Sequence, residues 1–281
     1  MLNFSSIWSS QGNGGSDVLP VLRLSYHYLH PELKKCFAYC AIFPQGYLFR
    51  KKSLVRLWMA EGFIKESQEG EEMEMIGAKY FRELVSGSLF QWSSYHHSFV
   101  MHDHIHEVAE SVAGETCFRL EDHAEKCKLC QKTARARHLS YNCGIKKFEA
   151  FHGGESLRTF LPLPRYLPYG ESSETNNVHL NWLPKLRVLS LNGYYITKLP
   201  HSIGDLKHLR YLDLSMTGIT CLPKEVCLLY NLQTLILKDC SRLERLPSKI
   251  GNLTYLRYLK ITSALLEGMP AGLKELKSFK H

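Results

Sequence analysis

Through the C-terminal third of the chain one apolar pattern returns four times: LRVLSL from Leu186, LRYLDL from Leu209, LQTLIL from Leu232 and LRYLKI from Leu256, a period of 23 or 24 residues. A strand of this length cannot bury its leucines alone, so each copy must stack on the next with the strands parallel. In register, Leu189, Leu212, Leu235 and Leu259 then form one internal column. A second apolar run, Ile196, Leu199, Ile203 and Leu206 in the first copy, supplies the opposing wall. Leu-Pro recurs at Leu199-Pro200, Leu222-Pro223 and Leu246-Pro247, with Met269-Pro270 as a fourth case. Proline there stops a strand and sets the chain on the convex side.

The L-x-x-L-x-L spacing is that of the leucine-rich repeat. Residues between the leucines are expected outward on the concave face: Arg187, Val188 and Ser190, then Arg210, Tyr211 and Asp213, then Gln233, Thr234 and Ile236, and finally Arg257, Tyr258 and Lys260. Arg and Tyr anchor protein interfaces, so a protein partner is expected on this face; ordinary solvated positions are the plainer alternative. SLRTFLPL at 156–163 is expected as an earlier, irregular copy, and RHLSY at 137–141 as a capping strand before it. Leu273 and Leu276 are still in phase near the end of the sequence, so the solenoid is expected to be unfinished there.

With 281 residues and 44% hydrophobic content, the chain is long enough for two cored domains. It has neither an apolar run of about 18 residues nor a cleavable leader pattern, which points to a cytoplasmic protein without a membrane span. The cysteine count is odd, at nine, and Cys36, Cys40, Cys221, Cys227 and Cys240 fall inside apolar patterns, so reduced thiols are expected. The net charge of +8 invites a nucleic-acid reading. Its basic residues are dispersed along the sequence, however. Arg50-Lys51-Lys52 and the looser group at 274–280 are not interleaved with aromatics, which favours a solvated basic face over a nucleic-acid groove.

Ahead of the repeats the pattern is helical. Asp17 is placed to cap a helix through Leu29, Pro31 to open a second ended by Phe43-Pro44, and a third begins near Lys52 with Leu54, Leu57, Trp58 and Ile64 as its apolar positions and Gly62 near its end. A fourth, from about Glu72, is expected to bury Met75, Ile76, Tyr80, Phe81 and Leu84. SLFQWSS and SFVMH read as a hairpin and 105–112 as a last helix, together a winged helix.

The stretch from Val21 to Ile64, containing CFAYCAIFP and LWMAEGF, resembles the winged-helix segment of plant intracellular nucleotide-binding, leucine-rich-repeat disease-resistance proteins of the coiled-coil subclass. Met101-His102-Asp103 matches that family's MHD motif in residues and placement. The resemblance implies an ADP/ATP-dependent switch in innate immunity, in which His102 approaches the nucleotide phosphates and Asp103 locks the loop. Imidazole can donate to a phosphate oxygen, and Asp103 suits an N-cap. Without the resemblance, His102 reads as a surface histidine and Asp103 as a cap alone. His104 stands where the family more often has an aliphatic residue.

The expected architecture is α/β overall: a remnant of an upstream nucleotide-binding module at 1–16, a mostly helical winged-helix domain at 17–115, a connector with repeat cap at 116–155 and a leucine-rich-repeat solenoid at 156–281. No G-x-x-x-x-G-K-[ST] phosphate loop is present in this sequence, and Gly12, Gly14 and Gly15 read as loop. The chain is therefore expected not to be an enzyme, to bind ADP or ATP poorly by itself, and to act on protein partners, either a pathogen molecule, a guarded host protein or its own switch module. The competing reading is a stand-alone repeat module that works without nucleotide. A DNA-reading winged helix ranks behind both, because the third helix carries Leu54, Leu57 and Trp58 beside Lys51, Lys52 and Arg56. His123, Cys127, Cys130, His138 and Cys143 lack standard zinc spacing, and His102 with His106 lacks the glutamate of H-E-x-x-H, so no metal site is expected.

Overall fold

The computed structural model describes residues 24–66, 70–120, 135–141, 154–162, 183–194 and 196–262, with 265, 266, 268, 270 and 272. The chain divides into two compact units, Met1–Cys117 and Phe118–His281.

Among its described residues, beside a helical stretch at 24–27, the first unit has four helices and a hairpin. Helix α1, Pro31–Tyr39, carries proline in its first turn, where the missing N–H costs nothing, and runs into a 3₁₀ turn, Cys40–Ile42, that ends at an extended Phe43. Helix α2, Lys51–Glu61, stops at Gly62, whose φ of 75° is the left-handed cap that glycine adopts without strain. Helix α3, Met73–Ser86, begins after Glu72 as expected, but its buried stripe is Met73, Gly77, Phe81 and Leu84. Met75, expected inside, is 52% exposed. The stripe follows the 4-4-3 spacing of one helix face, and Gly77 lies on it because a Cβ there would sit 2.5 Å from Val55 Cγ1 of α2. The stretch expected as a first helix is helical over 24–27 and turns at Tyr28–Leu29; its start at Asp17 lies outside the described residues.

Strands β1, Gln91–Ser93, and β2, Ser98–Val100, pair antiparallel as the hairpin. Phe49, in the segment between the second and third expected helices, bridges to β2 from its other side: its N–H donates to the Phe99 carbonyl at 2.7 Å and its carbonyl accepts from Phe99 N–H at 2.9 Å. Its ring then joins the core, 5.2 Å from Phe43 and 5.1 Å from Phe90, and Phe90 stacks on Phe81 at 5.2 Å. Helix α4, Asp103–Ala113, closes the unit.

The second unit carries a seven-stranded sheet in sequential order: β3, Cys117–Leu120; β4, His138–Tyr141; β5, Thr159–Pro162; β6, Val188–Ser190; β7, Tyr211–Asp213; β8, Thr234–Lys238; β9, Tyr258–Thr262. From β4 onward each pair is parallel, and Leu139, Phe160, Leu189, Leu212, Leu235 and Leu259 are register partners in turn. The leucine column is thus as the period required, and the irregular copy takes its place ahead of it as β5; β4, expected as a capping strand, is flanked on its far side by β3 and so does not end the sheet. Strand β3 was not foreseen; it lies in the stretch read as connector. Pro200, Pro223 and Pro247, all extended, precede 3₁₀ helices at His201–Asp205, Lys224–Leu228 and Ser248–Asn252, which stack through Ile203, Val226 and Ile250 as the second wall. Met269, Leu273 and Leu276 lie outside the described residues.

Candidate functional site

Two places carry the residues singled out above. At the first, Met101 is buried and anchors the end of the hairpin, and the two residues after it, His102 and Asp103, are exposed where α4 begins. His102, not Asp103, is the N-cap: its backbone is extended, at φ −63° and ψ 151°, and its Nδ1 accepts from the His104 N–H at 3.4 Å. The expected cap is therefore displaced by one residue, because an imidazole nitrogen reaches the amide two residues on much as an Asn oxygen would. Asp103 occupies the first helical position, where its negative charge meets the positive end of the helix dipole. Accepting at Nδ1 puts the proton of a neutral ring on Nε2, so the cap and an outward donor can coexist in one tautomer. His104 faces Glu107, 3.5 Å away on the next turn, and its ring lies 5.4 Å from that of His102.

His106 does not join this group. It is buried, and its Nε2 donates to the Phe43 carbonyl at 2.7 Å, tying α4 to the turn after α1. His138 is also buried, with Nδ1 3.2 Å from Thr159 Oγ1 across adjacent strands; His123, Cys127, Cys130 and Cys143 lie outside the described residues. Among the described residues no group of three or more His, Cys, Asp or Glu could hold a metal ion. Seven of the eleven residues of α2 are buried, Leu54, Leu57 and Trp58 among them, which leaves little of that helix to enter a DNA groove.

The second place is the repeat surface, where the expectation needs correction. Val188, Ser190, Tyr211, Asp213 and Thr234, all expected outward, are buried, whereas Arg187, Arg210, Gln233, Ile236, Arg257, Tyr258 and Lys260 are half-buried. Parallel strands about 4.8 Å apart hold same-register side chains against one another, and the polar members are taken up in local bonds. Asp213 Oδ1 accepts from the Ser215 N–H at 2.9 Å and from its hydroxyl, closing the turn after β7. Ser190 Oγ accepts from the Asn192 N–H at 3.4 Å in the equivalent turn, and its carbonyl accepts from Tyr141 OH at 3.1 Å. Burial pushes the Asp213 carboxyl above its ordinary pKa, against the lowering effect of hydrogen bonds from Ser215 and Asn192. Ser190 and Asp213 therefore shape turns. The residues left for a partner are those at the start of each strand and on β9.

That strand-start position also holds two residues not counted as binding candidates, Arg137 and Arg158, whose backbones continue the same ladder. Their signal was the alignment of RHLSY and LRTFLP with LRVLSL, in which one arginine precedes each strand.

Residues 42–109 match the family described as the disease resistance protein winged helix domain, and residues 157–281 match the leucine-rich repeat region. The chain is 43% identical over 240 residues to the RPP13-like protein 1 of Arabidopsis thaliana, covering 83% of this chain and 22% of that one. It is 36% identical over 242 residues to disease resistance protein RGA2 of Solanum bulbocastanum, covering 85% and 22%, and 30% identical over 231 residues to disease resistance protein SUMM2 of Arabidopsis thaliana, covering 78% and 25%. The chain thus spans about a quarter or less of the length of these curated relatives. Among the described residues no helix is long and apolar enough to cross a membrane.

Proposed function

Because the chain belongs to the plant disease-resistance proteins that carry a winged helix ahead of leucine-rich repeats, we propose that it supplies two working parts of such a receptor. One is the winged-helix part of an ADP/ATP-dependent switch in the defence response; the other is a surface that recognises a protein, either a pathogen molecule or a host protein that it alters.

The observation that carries the switch reading is the start of α4. His102 is exposed there with Nδ1 accepting from the His104 N–H, and in that tautomer Nε2 carries the proton that would be donated to a diphosphate oxygen. The nearby helix N-terminus adds a favourable field for an anion. Asp103, at the first turn, holds the loop by stabilising the helix that follows. In the resting form ADP would favour the closed arrangement through this contact, and exchange for ATP would release it; only a difference in contact between the two states can shift them. A single imidazole at the rim of a phosphate site does not orient water or hold magnesium, so the chain itself is not expected to turn over ATP.

The recognition reading rests on the half-buried strand-start residues of the solenoid, Arg187, Arg210, Gln233 and Arg257, with Tyr258 and Lys260. A chimera joining this chain to the nucleotide-binding half of a relative tests both parts. Asp103→Val should raise the resting defence output, and His102→Ala should weaken ADP retention at least tenfold, read by nucleotide content after purification. Equal resting output and equal ADP content in both variants would overturn the switch. ATP hydrolysis by the chain above that of its His102→Ala variant would overturn the prediction of no turnover.

A further inference from the structure

One tight turn recurs just ahead of the strand in each regular copy. The N–H groups of Leu186, Leu209, Leu232 and Leu256 donate to the carbonyls of Leu183, Leu206, Leu229 and Leu253 at 2.9–3.1 Å. Both leucines of every pair are buried, at 2% exposure or less, so the two residues between them are forced outward, and all eight are exposed. These residues sort along the stack. The first two turns hold Lys185, then Lys207 with His208; the next two hold Tyr230 and Tyr255, 52% and 62% exposed. None of the eight is acidic, and among the described residues Lys185, Lys207 and His208 make no ion pair. Leu228, 39% exposed, stands two residues before Tyr230 and widens the apolar half. Asn231 donates from Nδ2 to the Lys207 carbonyl at 2.8 Å, which ties the third turn to the second. In the irregular copy ahead, the Leu157 N–H closes the same turn on the Gly154 carbonyl at 3.0 Å, and there an exposed Glu155 takes the outward place.

Two tyrosines on adjacent copies hold a contiguous apolar surface in water beside two ammonium groups that no acid of the described residues neutralises. From this division of charge we infer that the edge docks an extended segment of another protein in which two acidic residues are followed closely by two aliphatic ones. The middle of the cationic turns lies two copies from the middle of the tyrosine turns, about 10 Å at a strand spacing of about 4.8 Å. An extended chain rises about 3.3 Å per residue, so acids at its first and second positions and aliphatic side chains at its fourth and fifth reach both halves. Lysine meets a carboxylate as a mobile point charge. Tyrosine takes an aliphatic side chain on its ring and keeps its hydroxyl at the wet rim. Glu155, beyond Lys185, repels a third acid and so limits the acidic run. A single-stranded nucleic acid fits worse, because it carries a phosphate at every base and the two tyrosine turns offer it no cation. The surface goes beyond the recognition reading above and does not depend on the strand-start residues assigned there.

The experiment is fluorescence anisotropy with the whole chain and two short labelled peptides of identical composition. In one, two glutamates are followed, after a single glycine, by two leucines; in the other, glutamates and leucines alternate. The first should bind about tenfold more tightly. Lys207→Gln should weaken it several-fold and flatten its salt dependence, whereas Tyr230→Ala should weaken it as much and leave the salt dependence as it was. Both residues are exposed, so neither substitution removes core packing. Lys52→Gln, at an exposed cation of the other unit, should change neither affinity nor salt dependence. Equal binding of the two peptides would overturn the inference, as would displacement of the first by a lower concentration of a single-stranded oligonucleotide of equal charge. A dimer that forms with rising chain concentration and is lost in Tyr230→Ala would assign the row to a second copy of the chain and overturn it too.

Discussion

Asp213 shows how a residue chosen for binding turns out to serve the fold. Its position between two leucines of LRYLDL suggested an outward carboxylate, but Oδ1 closes the turn onto Ser215 and the group is buried. Asp213→Ala leaves the Ser215 amide unpaired and should cost about 1–2 kcal/mol. Asp213→Asn keeps an acceptor and loses the buried charge, so it should equal or exceed the parent near neutral pH in urea unfolding. Because burial raises the folded pKa, Asp213 contributes most below its unfolded pKa and less as pH rises through the folded value. The advantage of Asn over Asp should therefore be largest near neutral pH and disappear on acidification. His102 carries a related lesson: that a helix opens at this motif was legible, but which of two neighbouring residues caps it depends on backbone angles that the motif does not state.

Among the elements, the helix pair α2 and α3 illustrates what a glycine can mean. Gly77 lies in the middle of α3, where alanine would ordinarily favour the helix by about 1 kcal/mol. A Cβ there would meet Val55 Cγ1 at 2.5 Å and Ile64 Cδ1 at 2.7 Å. Gly77→Ala should therefore lower stability by about 1–3 kcal/mol through overpacking, and adding Val55→Ala should recover part of the loss, as read by thermal unfolding. The apolar sequence of α3 suggested Met75 and Tyr80 as core, since hydrophobicity marks candidates for burial without saying which face meets a neighbour. The close approach at Gly77 selects the face. The hairpin was legible from its own strands, whereas the bridge from Phe49 to Phe99 joins residues fifty apart and had no local signal.

For the molecule as a whole, the buried cluster of the solenoid runs, among the described residues, from Leu120 to Leu259, and the winged-helix unit buries a core of its own around Phe37, Trp58 and Phe81. The two cores should respond separately to damage. Leu212→Ala, in the middle of the leucine column, should cost the repeats about 2–5 kcal/mol and spread loss of amide protection to the neighbouring copies, while 31–113 keeps its protection. Trp58→Ala, in the other core, should do the reverse at a cost of about 3–5 kcal/mol. Hydrogen exchange with mass spectrometry reads both; loss of protection in both units from either substitution would show that they fold as one.

The period of 23 or 24 residues by itself determined the solenoid, its parallel sheet and the leucine column, because short apolar segments at constant spacing have no other way to leave water. Proline and glycine punctuation likewise marked the start of α1, the end of α2 and the prolines that lead into the convex 3₁₀ turns. What only the tertiary structure decided is which polar residues remain at the surface. The buried fate of Ser190, Tyr211, Asp213 and Thr234 depends on neighbours one copy away, and the row of outward turn residues exists only in the stacked form. Residues a full copy apart in sequence become neighbours when the stack places the same position at one strand spacing, and no window of sequence shorter than the whole solenoid contains that distance.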